Sequence, residues 1–229
     1  MSSESDQIKN VESFEALTKT IFFGKNNAIC WKRDLDIDFS EIVTKLILNE
    51  NITTIEISDL LKLNLSFEGN QARKIIINDL KLLTDFGAQP TLNLIKYYDR
   101  DDTFEFISTD VYSFHVDKSP VLIDTYLCTY FGASSDIIKN EEVDQKILIP
   151  EVRNKLKNLY DGPDENFELF LEEHFFDLHY EMKKNAKPIN LGNGNIWRLA
   201  VKHPDQRVLP CVHRAPIENT NEFRLMLIC

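Results

Sequence analysis

The segment Tyr112-Ser113-Phe114-His115-Val116-Asp117 has the composition of a β-strand and carries two side chains that can hold a metal ion. On an extended strand, side chains two residues apart point to the same face, so His115 and Asp117 present an imidazole and a carboxylate to one point. The segment Cys211-Val212-His213-Arg214, far along the chain, offers a second imidazole. We therefore predict that His115, Asp117 and His213 are metal ligands.

Two histidines and one carboxylate are typical of Fe(II) sites, because this set leaves adjacent coordination positions open for a chelating cosubstrate and dioxygen. The same ligands also occur around zinc. Arg224 favours iron, because a guanidinium beside the metal can bind the far carboxylate of a keto acid through two parallel hydrogen bonds. It is the only basic residue in its strand and is followed by Leu225-Met-Leu-Ile228, which indicates a buried anionic partner.

At these positions the chain resembles the non-haem Fe(II)/2-oxoglutarate-dependent oxygenases. Their pattern is H-x-D, a distant H and then an R about one strand later, and it corresponds here to His115, Asp117, His213 and Arg224. Four segments are also similar to those of an uncharacterised bacterial family of about this length: Ala28–Leu35, Phe114–Asp117, Leu127–Gly132 and Val212–Pro216. This second resemblance spans most of the chain but implies no substrate.

The oxygenase resemblance implies a double-stranded β-helix (jelly roll, cupin-like), Fe(II) and 2-oxoglutarate as cofactors, and dioxygen as a reactant. It implies that Arg224 binds 2-oxoglutarate. Asp117 fills the position that halogenases of this superfamily leave for chloride, so hydroxylation is expected rather than halogenation, and desaturation or demethylation stays open. We expect a small-molecule substrate, preferably amino-acid-like or cationic, and a protein side chain is the next choice. The candidate pocket residues are Tyr97, Tyr126, Tyr130 and Trp197.

The composition of the chain limits the classes of molecule that it is expected to bind. The chain has 229 residues, with 26 basic and 37 acidic side chains and a net charge of −11, and no run of Lys and Arg. Binding to a nucleic-acid backbone is therefore disfavoured. The start of the chain lacks a signal-peptide pattern and no apolar run reaches membrane-spanning length, so we expect a cytoplasmic protein. The four cysteines form no C-x-x-C pair, and we expect them to be reduced.

The chain length fits a single α+β domain, 1–229, in which residues 1–89 form an α/β support region and residues 90–229 form the jelly-roll core. Apolar spacing in the support region predicts helices over 14–22, 39–47 and 70–86 and a strand over 28–31, and leaves 52–65 open between strand and helix. In the core we predict strands over 91–98, 103–107, 111–116, 121–130, 196–201, 208–212 and 223–228, which is typical of a sandwich or barrel. A helical insertion at about 147–186 would contain helices 150–160 and 164–184.

Other interpretations stay open. His174 and Asp177, at helical spacing, could hold a metal, although the acidic neighbours favour a solvated helix face. The chain could be a cupin-like metalloenzyme that uses another metal without 2-oxoglutarate, such as a hydrolase or isomerase. It could also be a non-catalytic β-sandwich that binds a partner, in which case the three ligands would not converge.

Overall fold

In a computed structural model that describes residues 6–101, 103–175 and 179–229, the chain is an α+β protein with mostly antiparallel sheets, consistent with a β-sandwich. The strands are β1 (Ile8–Val11), β2 (Ala28–Trp31), β3 (Ile52–Ile55), β4 (Thr91–Ile95), β5 (Thr125–Phe131), β6 (Asp136–Ile138), β7 (Val143–Gln145), β8 (Tyr180–Met182), β9 (Ile189–Asn190), β10 (Ile196–Leu199), β11 (Val212–Arg214) and β12 (Arg224–Ile228). The helices are α1 (Phe14–Lys19), α2 (Ser40–Lys45), α3 (Ile57–Lys62), α4 (Phe67–Phe86), α5 (Pro150–Leu159) and α6 (Phe167–His174).

The larger sheet has seven strands in the order β1-β2-β10-β5-β12-β4-β3. Strands β1 and β2 pair in parallel, and the other neighbours in this sheet pair in antiparallel fashion. Because β1, β2 and β3 lie at the two sides of this sheet, the region 1–89 supplies strands of the sandwich as well as helices. The sequence predicted only a support role for that region.

The smaller layer is assembled from short pieces. Strands β11, β6 and β9 form one sheet, and β7 pairs with β8. Isolated antiparallel bridges, Phe114 to Tyr180 and His115 to His213, connect the two pieces through the segment that carries the predicted ligands. The resulting order is β7, β8, the segment at 114–115, β11, β6 and β9.

Apolar side chains pack between the two layers. This inter-sheet core contains residues of β2, β5, β6 and β10, namely Ala28, Cys30, Leu127, Ile137, Trp197 and Leu199, together with Leu191 and Cys211. The opposite face of the larger sheet packs against α1, α2 and α4. Side chains alternate along β5, so Leu127 faces the smaller layer whereas Tyr126, Cys128 and Tyr130 face the helices.

Helix α4 shows how local sequence positions this second core. Ser66 caps its start by accepting a hydrogen bond from the Gly69 amide at 3.0 Å, and Gly87 ends it at φ 97°, a left-handed conformation that favours glycine. Its buried face includes Ala72, Ile76, Leu80 and Leu83.

Among the described residues, no helix is both long enough and apolar enough to cross a membrane.

Several predicted elements differ from the structure. No strand forms over the described part of 103–107, because Phe104 and Phe106 pack beside the helical insertion instead. The helix predicted over 164–184 ends at His174, and residues 180–182 form β8, which pairs with β7. The open segment 52–65 contains both β3 and α3. The α+β part of the fold prediction is confirmed, and the jelly roll stays a prediction.

The remaining boundaries are close to those expected. The strand at 28–31 and the helix that begins at Pro150 are confirmed, while β5 is shorter than predicted at its start and β11 begins only at Val212. Within 111–116, pairing is limited to the bridges at Phe114 and His115. Short strands of this kind pair through tertiary contacts that local sequence does not specify.

A buried ion pair fixes α4 to the sheet. Arg33 Nη1 lies 2.7 Å from Asp79 Oδ1, and the Tyr130 hydroxyl donates to Asp79 Oδ2 at 2.8 Å. The Asp79 side chain is 1% exposed. Truncation of one partner would leave the other charge buried and uncompensated, which is costly.

We therefore expect Asp79→Ala to lower the free energy of unfolding by about 3–5 kcal/mol, measured by denaturant unfolding. The matched control is Asp85→Ala, which removes an exposed carboxylate from the same helix and should change stability by less than about 0.5 kcal/mol. Equal effects of the two variants would show that the ion pair does not stabilise the fold.

Candidate metal centre

The structure brings the three predicted ligands together. Their ligand atoms all lie within 4.8 Å of one another. His213 Nε2 is 3.5 Å from Asp117 Oδ2, and His115 Nε2 is 4.0 Å from Asp117 Oδ1. Two donor atoms with bonds of about 2.0–2.2 Å to one cation are at most about 4.4 Å apart, and both separations from Asp117 are within that limit.

Backbone pairing positions these side chains. His115 and His213 are directly opposite each other in an antiparallel bridge, and each amide donates to the other's carbonyl at 2.9 Å. Paired residues share a face, and Asp117 lies two residues further along on the same face. The Asp117 carbonyl is fixed in turn by the Lys202 amide at 2.7 Å. The neighbours Phe114 and Val116 pack on the other face, in a separate apolar cluster.

The two imidazoles are oriented through their Nδ1 atoms. His115 Nδ1 lies 2.8 Å from the Ser113 carbonyl, and His213 Nδ1 lies 3.2 Å from the Cys211 carbonyl. A carbonyl can only accept, so each Nδ1 carries the proton and each Nε2 presents a lone pair. A hydrogen bond of this kind also fixes the ring orientation and raises the basicity of a ligating histidine.

Electrostatics keep the ligands in their metal-binding forms. Burial, with a further contribution from His213, lowers the pKa of His115 to about 4. Burial alone would raise the pKa of Asp117, but His213, the Thr125 hydroxyl and His115 together lower it below its usual value. Near neutral pH the site therefore offers an uncharged His115 and a carboxylate at Asp117, as metal binding requires.

Thr125 on β5 holds the carboxylate from the opposite sheet, since its hydroxyl donates to Asp117 Oδ2 at 2.5 Å. We expect Thr125→Val, which keeps the shape of the side chain, to weaken Fe(II) binding about 10- to 100-fold in a competition titration. The control Thr54→Val removes an exposed hydroxyl from β3 and should leave affinity unchanged. Unchanged affinity in Thr125→Val would exclude this role.

Arg224 is a buried cation without an ion-pair partner among the described residues. Its side chain is among the largest that are fully buried, at 1% exposure. Nη2 donates to Thr129 Oγ1 at 3.2 Å and to Ser135 Oγ at 2.8 Å, whereas Nε has no hydrogen-bond partner. Burial lowers the pKa of Arg224, and nearby Tyr98 and Glu218 oppose this shift. A guanidinium in this condition indicates a binding position for an anion.

Arg224 and the three ligands face the same space between the sheets. The residues of β5 that face the smaller layer are Thr125, Leu127 and Thr129, of which the first contacts Asp117 and the last contacts Arg224. At about 3.3 Å per residue, the two threonines are roughly 13 Å apart along the strand. The anion position and the metal ligands therefore lie at two ends of one inter-sheet region.

The predicted pocket tyrosines lie elsewhere. Tyr126 and Tyr130 belong to the helix-facing core, on the face of β5 opposite Thr125. Tyr97 is 42% exposed. Trp197 lies in the inter-sheet core, where its indole Nε1 donates to the Leu191 carbonyl at 2.9 Å. The structure brings none of the three tyrosines into contact with the ligand set among its described contacts.

The alternative metal pair lies partly outside the described residues. His174 is exposed at the end of α6, and Asp177 lies outside the described residues. Sequence reasoning also missed Thr125 and Ser135, whose positions depend on pairing between distant strands. The only sequence signal for the first of these is alternation along β5, which places Thr125 on the face of Leu127.

His115, Asp117 and His213 are the group of metal-ligating side chains that the described part of the chain brings together. Their geometry and the Nδ1 contacts show a group of side chains that could hold a metal ion. Comparisons of the chain with protein-family models, with curated proteins and with solved structures found no match in any of the three.

Proposed function

We propose that the chain is an Fe(II)/2-oxoglutarate-dependent dioxygenase that hydroxylates a small, amino-acid-like molecule. The observation that carries this proposal is the placement of Arg224, which is buried, charged and without a counter-ion among the described residues, in the same inter-sheet region as the ligand set. A divalent metal alone would not require a buried guanidinium. A metal with a chelating dicarboxylate accounts for both.

The donor set fits Fe(II). Two imidazole nitrogens and one carboxylate leave further coordination positions for a bidentate keto acid and for dioxygen. When bound, Fe(II) and 2-oxoglutarate supply the reaction in which dioxygen and 2-oxoglutarate become succinate and carbon dioxide while a substrate C–H becomes C–OH. The chain's own contribution is to hold the ligands and to position the two organic molecules.

Arg224 is the proposed anchor for the distal carboxylate of 2-oxoglutarate. Its contacts with Thr129 and Ser135 use one nitrogen, Nη2, and leave Nε free to donate. The surroundings are dry, so a charge-assisted hydrogen bond formed here is stronger than one at the surface. A neutral or cationic group at this position would leave the buried guanidinium without a counter-ion, so its binding is unfavourable.

Asp117 bears on the reaction type. Its carboxylate occupies the third protein ligand position, where Thr125 and the two imidazoles hold it in the ionised form. With Asp117 as the third protein ligand, no coordination position is left for a halide in place of a carboxylate, so we propose hydroxylation. We also propose that the sandwich is a double-stranded β-helix, since the ligands come from adjacent short strands of the smaller layer and face the larger sheet.

Succinate release tests this proposal without knowledge of the substrate, because such oxygenases consume 2-oxoglutarate slowly in uncoupled turnover. Protein loaded with Fe(II) under air, with ascorbate added as the two-electron reductant that takes the place of the substrate, should convert 2-oxoglutarate to succinate in excess of the protein concentration. The reaction should require Fe(II) and should stop when dioxygen is removed. Tight Fe(II) binding with no consumption of 2-oxoglutarate would contradict the proposal and favour a metalloenzyme of another kind.

A further inference from the structure

A turn of the chain surrounds the Arg224 guanidinium. Arg224 Nη2 donates to Thr129 Oγ1 at 3.2 Å and to Ser135 Oγ at 2.8 Å. These two residues are the ends of the segment 129–135, which leads from β5 in the larger sheet to β6 in the smaller layer. Gly132 lies at the middle of this segment, which we call the 129–135 turn. The position of the guanidinium therefore depends on the conformation of this turn.

A β-bulge on β5 brings Gly132 opposite Arg224. The register between β5 and β12 shifts between Leu225 and Met226, and the extra residue lies on β5. Leu225 is therefore paired with Phe131, and Arg224, which precedes it, lies opposite Gly132 rather than Phe131. Bulges redirect side chains in this way and are frequent beside functional sites.

The backbones of β5 and β12 approach each other closely at this position. A Cβ atom placed on Gly132 would be 2.6 Å from the Phe223 carbonyl oxygen and 3.0 Å from Arg224 Cα. Gly132 also has φ 83°, in the left-handed region that favours glycine. Both contacts are with backbone atoms, which cannot rotate away as the end of a flexible side chain can. Any larger residue at position 132 must therefore move backbone.

A neighbouring loop holds the outer side of the turn. The Asn193 side-chain amide donates to the Gly132 carbonyl at 3.0 Å, and the Gly194 amide donates to the Thr129 carbonyl at 2.8 Å. These hydrogen bonds oppose movement of the turn away from β12. A side chain at position 132 would therefore displace β12 and, with it, Arg224.

We propose that Gly132 is a positioning residue of the anion site, because the close approach that it allows between β5 and β12 fixes the Arg224 guanidinium where the distal carboxylate of a keto acid binds. This inference rests on the proposed oxygenase function. Gly132 itself contacts neither the metal nor the keto acid in this account. Its substitution reduces the preference for a dicarboxylic keto acid and leaves the metal ligands unaffected.

The test compares two keto acids that differ in the distal carboxylate. Protein loaded with Fe(II) is titrated without oxygen with 2-oxoglutarate and, separately, with 2-oxobutanoate, which keeps the chelating end but has no distal carboxylate. The dissociation constant of 2-oxobutanoate divided by that of 2-oxoglutarate is the selectivity ratio. We expect Gly132→Ala to lower this ratio by at least about tenfold, since displacement of a binding group by about 1 Å can cost a factor of about 100. Affinity for Fe(II) and for 2-oxobutanoate should not change.

Two further variants separate steric contact from backbone strain. Gly87→Ala adds a side chain at φ 97°, where a Cβ would meet none of the described atoms within 4 Å apart from its chain neighbours. It introduces similar strain far from the turn and should leave the selectivity ratio unchanged. Asparagine tolerates a left-handed backbone but carries a Cβ, so the ratio of Gly132→Asn should be as low as that of Gly132→Ala.

A milder variant perturbs the turn from outside and decides the question if Gly132→Ala does not fold. Asn193 is exposed, and Asn193→Ala removes the hydrogen bond that holds the Gly132 carbonyl. We expect this variant to lower the selectivity ratio by about threefold, within the range for one neutral hydrogen bond, with Fe(II) affinity unchanged.

Several results would overturn the inference. A wild-type selectivity ratio in folded Gly132→Ala, or in Asn193→Ala if Gly132→Ala does not fold, would show that the turn does not position Arg224. A ratio restored to the wild-type value in Gly132→Asn would show that backbone strain acts rather than contact, and a loss of Fe(II) affinity would show a general structural role. These results leave the proposed function intact. Equal binding of the two keto acids by the wild type would instead remove the proposed role of Arg224 and this inference with it.

Discussion

Replacement of Arg224 by methionine is expected to weaken 2-oxoglutarate binding to the Fe(II)-loaded protein by at least about 30-fold, with no change in Fe(II) affinity. Loss of one member of a buried, hydrogen-bonded charge pair costs about 2–5 kcal/mol, and 1.4 kcal/mol corresponds to a factor of ten. Methionine keeps much of the side-chain volume, so the variant removes charge rather than packing. Anaerobic titration with 2-oxoglutarate measures the effect.

The stability of the same variant gives an independent check. Without its anion, the Arg224 guanidinium is a buried charge with no counter-ion among the described residues. The metal-free Arg224→Met protein should therefore be at least as stable as the wild type. The control Arg207→Met removes an exposed cation and should alter neither property. Unchanged 2-oxoglutarate affinity in Arg224→Met would show that the keto acid does not bind there.

Replacement of His213 by alanine is expected to reduce Fe(II) affinity by at least about 100-fold. Loss of a partner that only orients a ligand already costs about 10- to 100-fold, so loss of a ligand itself should cost at least the upper value. The remaining pair, His115 and Asp117, lies on one short segment of the chain and approaches the metal from one side only. A competition titration with a metal indicator measures the change.

His174→Ala is the matched control for this variant. It removes an exposed imidazole from α6, which is distant in sequence from the ligand set, and Fe(II) affinity should not change. If His174→Ala weakened binding as strongly as His213→Ala, the metal would be held by another group of side chains. The assignment of His115, Asp117 and His213 would then be wrong.

Some features of the fold are accessible from sequence because they depend on local pattern. Helix α4 has a capping serine, regular apolar spacing and a terminal glycine, and the structure extends it only three residues earlier than predicted. Strand β2 has four residues of low polarity, of which Ile29 and Trp31 have high β-propensity, and its predicted bounds are confirmed. In both cases local and tertiary preferences agree.

Other features depend on long-range pairing. The apolar pattern after Asp164 continues past the end of α6 at His174, yet Tyr180 belongs to a strand because β7 is available to pair with β8. The aromatic residues around Phe104 have high β-propensity but pack against the helical insertion. Tertiary contacts override local propensity at both places.

The same distinction between local pattern and long-range pairing applies to the candidate site. Alternation alone places His115 and Asp117 on one face, but their position beside His213 depends on one backbone bridge across the smaller layer. Tyr126 and Tyr130 are each two residues from Cys128 on β5, so the three side chains lie on the same face, which packs against the helices. Alternation relates residues within a strand, but it does not show which face is the functional one.

An anaerobic titration of the purified chain with Fe(II) and then with 2-oxoglutarate, followed in the visible spectrum, tests both proposed cofactors in one experiment. We expect a metal-to-ligand charge-transfer band that requires both components, is absent in His213→Ala, and needs a higher 2-oxoglutarate concentration in Arg224→Met. Tight Fe(II) binding by the wild type with no band at any 2-oxoglutarate concentration would contradict this expectation.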